Sequence, residues 1–274
     1  MQDLIIGSIT KLGWDRCKHW VNSINRSGFA GDKIICIFGD HDDLVNNFKN
    51  SGFEVHNYRA LSDDENICVT RFLAYNKILS QSQKKYRMVL ATDVTDVVFQ
   101  NNPTEYFNQI SNKLIIASSE NIRYKDERWG ANNMRLSFGD DAYDRMKDRV
   151  IYNAGVIAGD HHLIEDLFLA VYKMCQSKPQ NIPGGGGPDQ AAYNYLLSLA
   201  QFKLTTTFMN HDIGWACQAG TNADPYKDYS EVNVESFPKI RDNQIVTSKD
   251  KPYYIVHQYN RNPMWKDMIE KLYS

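Results

Sequence analysis

The stretch VLATDVTDVVFQNNP, residues 89–103, decides how this chain is read. Its Val, Leu, Thr and Phe residues predict a buried strand, yet Asp93 and Asp96 break the run three residues apart. Carboxylates are poor strand formers and are costly to bury unpaired. A structural pair here needs an arginine, a helix N-terminus or a cation. A functional pair suits a hard divalent ion at the carboxyl end of a strand, where such an ion also holds diphosphate oxygens. The motif alone leaves both readings open.

The sequence before it alternates. DLIIGSI (3–9) predicts a strand, and Trp14, Cys17, Trp20, Val21 and Ile24 then recur at helical spacing. GDKIICIFGD (31–40) predicts a second strand, DDLVNNFKNSG (42–52) a helix stopped by glycine, FEVHNY (53–58) a third strand and residues 65–82 a helix. The fourth strand, YRMVLATD (86–93), therefore ends on the first carboxylate. Further strands are expected at 113–120, 152–160, 202–208 and 253–259, with helices at 161–177 and 189–201. This pattern predicts one Rossmann-like α/β domain with a mostly parallel central sheet flanked by helices, in which ligands gather at the carboxyl ends of the strands. PGGGGP (183–188) is too short for a domain linker and predicts a mobile loop or a close backbone approach.

Composition excludes several classes. With 274 residues, 42% hydrophobic and 23% charged, the chain is ordinarily globular. The 31 basic and 33 acidic side chains give a net charge of −2 with no polybasic run, which argues against nucleic acid as the main partner. Cys17, Cys36, Cys68, Cys175 and Cys217 contain no CxxC pair, so reduced thiols are expected rather than a disulfide scaffold or a zinc site. The N-terminal apolar run is too short for a signal-peptide core and no run reaches membrane-spanning length, so no transmembrane segment and a cytoplasmic location are expected.

Three later segments bear on the carboxylates. YNAGVIAGD (152–160) carries Asn153, Gly155 and Gly159 in an apolar strand, where small residues let a ligand lie against backbone. GPDQAAYN places Asp189 and Gln190 at a helix start after the glycine loop. YIVHQYNRNPMW puts His257 after a strand, with Arg261 four residues on. An Asp before a helix is usually a cap and a lone His is usually structural, so the order of the segments matters more than any one of them.

That order, LIIGSIT, ATDVTDVVF, YNAGVIAG, PDQAAYN and VHQYNRNPMW, resembles the GT-A glycosyltransferases, and within them the glycogenin-like and lipopolysaccharide-galactosyltransferase-like branch. The resemblance spans nearly the whole chain. Two departures stand out: the family separates its motif acids by one residue, whereas Val94 and Thr95 both lie between Asp93 and Asp96, and Arg261 stands where the family usually has lysine. The resemblance implies a single GT-A domain over residues 1–274, with nucleotide binding in 1–100 and sugar and acceptor binding in 101–274. It implies that Asp93, Asp96 and His257 hold Mn²⁺ or Mg²⁺, and that Ile6, Gly7, Ser8 and Ile9 line the base and ribose of a nucleotide-sugar donor, UDP favoured. Asp93, Asn153 and Gly155 would meet the donor, with Asp189 on its sugar and Gln190 beneath the anomeric carbon. Arg261 would neutralise the leaving diphosphate. Arg71 could pair with the carboxylates or touch the diphosphate. Tyr124 and Trp129, in the polar and aromatic segment 118–133, are candidate stacking groups for a glycan or other hydroxyl acceptor, and WACQAGT (215–221) could line the same cleft. The Asp–Gln pair resembles the retaining branch.

Two other classes compete. A sugar nucleotidyltransferase also uses metal-binding aspartates, but it would carry a Gly-rich basic loop after the first strand, and GSITKLGWD is not one. A non-catalytic carbohydrate- or nucleotide-binding module would have no need of Asp96, His257 and Arg261 around a diphosphate.

Overall fold

The computed structural model describes residues 1–110, 114–224 and 236–274. Strand β1 (Leu4–Thr10) leads through a 3-10 turn at Trp14–Arg16 into α1 (Lys18–Arg26), followed by β2 (Asp32–Phe38), α2 (Asp42–Asn50), β3 (Glu54–Tyr58), α3 (Ile67–Gln81) and β4 (Val89–Thr92). This is the expected alternation. Asn66 starts α3 by accepting the Cys68 amide N–H, the bond an Asn is suited to make at a helix N-terminus.

The Val-rich run then divides. β5 (Val97–Phe99) does not continue β4 but belongs to a second sheet, and the turn between the two strands carries both aspartates. After α4 (Pro103–Phe107) come β6 (Ile115–Arg123), α5 (Arg128–Phe138), α6 (Asp140–Met146), β7 (Val150–Gly159), α7 (His161–Cys175), α8 (Asp189–Ser198), α9 (Ala200–Lys203), β8 (Thr206–Met209), β9 (Ala216–Gln218) and α10 (Ala219–Asn222). A hairpin of β10 (Lys239–Arg241) and β11 (Gln244–Val246), then β12 (Ile255–His257) and α11 (Pro263–Leu272), complete the chain.

The main sheet has seven strands in the order β3-β2-β1-β4-β7-β6-β8. Only β7 runs against its neighbours β4 and β6; the other pairs are parallel. Each strand alternates its side chains between two helical layers. On one side Leu4 and Ile6 meet Phe72, Tyr75 and Phe168 of α3 and α7. On the other, Ile5 and Ile9 meet Trp20 and Phe48 of α1 and α2. The small sheet, β5-β12-β9, abuts the carboxyl edge of the large one.

Two strand expectations shift. The strand expected at 202–208 begins only at Thr206, because Phe202 and Lys203 finish the short helix α9. The strand expected from Lys113, a residue outside those described, extends past Glu120 to Arg123, and register breaks after Ala117 and Ser119 hide its alternation. Segment 118–133 shows no single period because it joins that strand end, a 3-10 turn at Tyr124–Asp126 and the start of α5. All five cysteines are free, four of them buried. Among the described residues no helix is long and apolar enough to cross a membrane.

Candidate functional site

The two carboxylates are fixed by the backbone around them. The Asp93 N–H donates to Gly155 O of β7 (2.9 Å), and Asp96 O accepts the Gln258 N–H (2.8 Å), so their turn is tied to both sheets. Arg71, buried on α3, donates to the Asp93 carboxylate, to Ala154 O (3.2 Å) and to Asp189 Oδ2 (3.2 Å). Its two terminal nitrogens are thus engaged by protein groups, while its Nε makes no hydrogen bond.

His257 ends β12 opposite Gln218 of β9 and is 2% exposed. Its Nδ1 lies 2.8 Å from Gln218 Oε1, an acceptor, which puts the ring proton on Nδ1 and the lone pair on Nε2. Nε2 sits 3.3 Å from Asp93 Oδ2 and 3.7 Å from Asp96 Oδ1 yet makes no hydrogen bond. One ligand atom from each of the three residues falls within 4.8 Å of the others. A lone pair facing two carboxylates in a buried site is unfavourable unless a cation or a proton lies between them, so this donor set fits a divalent ion.

Charge is unevenly shared. Burial pushes Asp93 up, but Arg71 and His257 outweigh it and hold its carboxyl well below the usual carboxylate range. Asp96 is raised by burial, with Asp93 adding to the effect against the opposing pull of His257 and Arg261. Burial pushes Asp189 up to about 6 despite Arg71. Burial alone would lower His257, but Asp96 and Asp93 raise it.

Beside this group, Asn153 accepts the Gly155 N–H at Oδ1 (2.7 Å) and donates from Nδ2 to Glu120 Oε1 (2.6 Å). Gln190 Oε1 accepts the Ala154 N–H (3.3 Å), and Gln190 Nε2 donates to Glu120 Oε1 (3.1 Å). Asp189 opens α8 behind Pro188 without capping it, and faces Arg71 instead. Asn194 of α8 bonds the Tyr152 N–H (2.8 Å) and Tyr152 O (2.7 Å), clamping the helix to β7.

Nine of the sequence-predicted positions, Arg71, Asp93, Trp129, Asn153, Gly155, Asp189, Gln190, His257 and Arg261, line one cleft of about 390 Å³. Asp96 adjoins it through His257, and Arg261 is exposed at its rim. Trp129 and the glycines of residues 184–187 form another wall, with the Trp129 indole N–H on Gly185 O (3.3 Å).

Other positions lie elsewhere. Ile6 and Ile9 are core residues on opposite faces of β1 and line no part of the cleft. Gly7 is closed in: a Cβ there would meet Val94 Cγ2 at 2.6 Å and the Trp20 ring at 3.1 Å. Ser8 is half-buried and also outside the cleft lining. Tyr124 cannot stack on an acceptor as expected, because it is 1% exposed among Met134, Ile151 and Ala191. Trp215 likewise packs on Tyr106 and Phe107 in the core, although Gly220 and Thr221 of the same segment do reach the cleft. Glu120 and Gln218 were not singled out from sequence. Glu120, inside β6 just past its apolar run, is a carboxylate on a buried strand and so carries a signal of the same kind as Asp93; Gln218 carries none.

A seven-stranded, mostly parallel sheet between helical layers, with carboxylates gathered at its carboxyl edge, has the Rossmann-like architecture of glycosyltransferases. Two crystal structures of the glycosyltransferase GlyE from Streptococcus pneumoniae TIGR4, one of them the apo form, are similar to this chain at a TM-score of 0.59 and 12% identity. Each alignment covers 100% of this chain and 62% of GlyE, so the chain spans under two thirds of that protein's resolved length. At that identity the likeness shows the fold. No protein-family model matches the sequence, and no curated protein does.

Proposed function

We propose that the chain is a metal-dependent GT-A glycosyltransferase that moves a sugar from a nucleotide-diphosphate donor, UDP favoured, to a hydroxyl of a glycan or other acceptor. The observation that carries this reading is His257 Nε2: buried, fixed in its tautomer by Gln218, and facing two carboxylates without a hydrogen bond. The donor set of two carboxylates and one imidazole favours Mn²⁺ over Mg²⁺, which prefers oxygen ligands throughout. Bound there, the ion supplies positive charge to the departing diphosphate.

The chain's own residues supply the rest. Arg261, exposed at the rim, is placed to meet the diphosphate as its negative charge grows. Asp189, held by Arg71, would accept hydrogen bonds from donor sugar hydroxyls, and Gln190 would lie under the anomeric carbon. The Asp189–Gln190 pair resembles that of the retaining branch, so attack on the donor's own face, with retention, is favoured. Trp129 offers an indole face on the cleft to an acceptor sugar. Residues 1–100 would form the nucleotide half of one domain and 101–274 the sugar half.

A thermal-shift panel of UDP-, GDP-, CMP- and dTDP-sugars with and without Mn²⁺, run on wild type and Asp96→Ala, tests the reading. Each variant is compared with its own ligand-free Tm. One nucleotide class should stabilise wild type only when Mn²⁺ is present, by about 2.7 kcal/mol at a hundredfold excess over Kd, and should leave Asp96→Ala unmoved. If no donor gives a metal-dependent shift, the proposal fails and Asp93 and Asp96 are structural.

A further inference from the structure

Glu120 lines the cleft beside Asn153 and Gln190, and its bonding pattern is directional. It is 5% exposed, and the strand that carries it is anchored there by Thr221 Oγ1 donating to Glu120 O (2.8 Å). A single carboxylate oxygen, Oε1, accepts from Asn153 Nδ2 at 2.6 Å and from Gln190 Nε2 at 3.1 Å. On the far side of each amide, the carbonyl oxygen takes a backbone N–H of β7, Gly155 onto Asn153 Oδ1 and Ala154 onto Gln190 Oε1.

Each amide is thus held between an anion and a backbone donor. Rotating either by half a turn would aim NH₂ at N–H and a carbonyl oxygen at a carboxylate, two repulsive pairs in a site shielded from water. A neutral acceptor at position 120 would favour the same orientation less strongly, because hydrogen bonds to an ionised acceptor are the stronger kind. We infer that Glu120 is a positioning residue: its carboxylate sets the Gln190 and Asn153 amides so that both carbonyl oxygens face β7, the strand whose Gly155 abuts His257 and Asp93. This rests on the transferase reading for its consequence, since the Gln190 oxygen would then be presented towards the sugar carbon of a donor held at the metal group. The orientation of the amides does not depend on that reading.

The test compares Glu120→Ala with Glu120→Gln. In the second variant one carbonyl oxygen can still accept both amide donors, just as Oε1 does alone. Three quantities are read: the side-chain amide NMR signals of Gln190 and Asn153, assigned with Gln190→Glu and Asn153→Asp; Mn²⁺–UDP affinity by calorimetry; and steady-state release of UDP from UDP-glucose and UDP-galactose. Glu120→Ala should move both amide signals to solvent-like positions, leave Mn²⁺–UDP affinity unchanged, and lower kcat roughly 100-fold with little change in KM, as expected when a reacting group is misplaced. Glu120→Gln should keep the amide signals and recover kcat to within about tenfold of wild type. Unmoved amide signals in Glu120→Ala overturn the inference, as does a Glu120→Gln variant as slow as Glu120→Ala, which would mean that the carboxylate acts through its charge. If wild type releases no UDP from either donor, that result counts against the transferase reading with these sugars, and the amide signals alone decide the role of Glu120.

Discussion

Gly155 is closed in by the candidate metal group itself. A Cβ built there would stand 2.3 Å from His257 Cε1, 2.8 Å from His257 Nε2 and 2.8 Å from Asp93 Oδ2. Nothing that close can be tolerated, so Gly155→Ala must displace the imidazole, the aspartate or β7 itself. The backbone of Gly155 is ordinary extended strand, and the penalty is therefore steric rather than conformational. In the metal-free protein the substitution should cost about 1–3 kcal/mol in urea unfolding, the usual cost of overpacking a filled interior. The more informative reading is the response to Mn²⁺: wild type should gain Tm with added ion and Gly155→Ala should not. A full Mn²⁺ response in the variant would place the ion away from Asp93 and His257. The sequence marks this glycine as a place where something lies close to backbone; the structure shows that the near neighbour is the protein's own imidazole, brought there from residue 257.

The glycine loop follows the same logic one level up. Gly184, Gly185 and Gly186 all have φ between +78° and +98°, a region that side-chain-bearing residues rarely occupy. A Cβ on Gly185 would meet nothing within 4 Å, whereas one on Gly184 would lie 2.9 Å from Trp129 Cδ1. Gly185→Ala should then cost only backbone strain, about 1 kcal/mol, and Gly184→Ala should cost more by the Trp129 clash. Adding Trp129→Ala should remove the excess, which a double-mutant cycle of unfolding free energies would measure. Equal costs for the two glycine variants would mean that the loop does not rest on Trp129. At this scale, what could be read from sequence depended on local signals. The alternation through β4 is visible because each apolar run is closed by glycine or a polar turn. The division of residues 89–103 into strands of two different sheets is not, since Val97–Phe99 finds its partner in Ile255–His257, far along the chain. α5 is hidden for another reason: its start, Glu127 and Trp129, looks like a loop until Glu127 is seen capping it by accepting the Gly130 N–H. The candidate metal group was legible from the order of the segments and the resemblance it carries, since the motif alone left a structural reading open. Its orienting residue was not, since nothing marks Gln218 apart from its place across the ladder from His257.

Across the whole molecule, the candidate metal group is the place where the two sheets meet. Asp93 follows the last residue of β4 in the large sheet, while Asp96 precedes β5 and His257 ends β12 in the small one. Each end of the connecting turn is bonded within its own sheet, the Asp93 N–H on Gly155 O in the large one and the Gln258 N–H on Asp96 O in the small one. An ion held by all three side chains would cross-link the sheets, and any opening that separates them would first have to release it. Opening equilibria that break a binding site are suppressed by the factor 1 + [L]/Kd, about 100-fold at a hundredfold excess of ion. Native-state hydrogen exchange should therefore slow at the Asp93 and Gln258 amides when Mn²⁺ is added. The Ile35 amide, on β2 well inside the large sheet, should respond only to the extent that it exchanges by global unfolding. Asp96→Asn should abolish the effect at both junction amides. Protection that rises equally at all three amides would mean that the sheets open only as one unit. No change at Asp93 and Gln258 in wild type would show that no ion joins them, and would leave Gly155 and Gln218 holding an ion-paired imidazole.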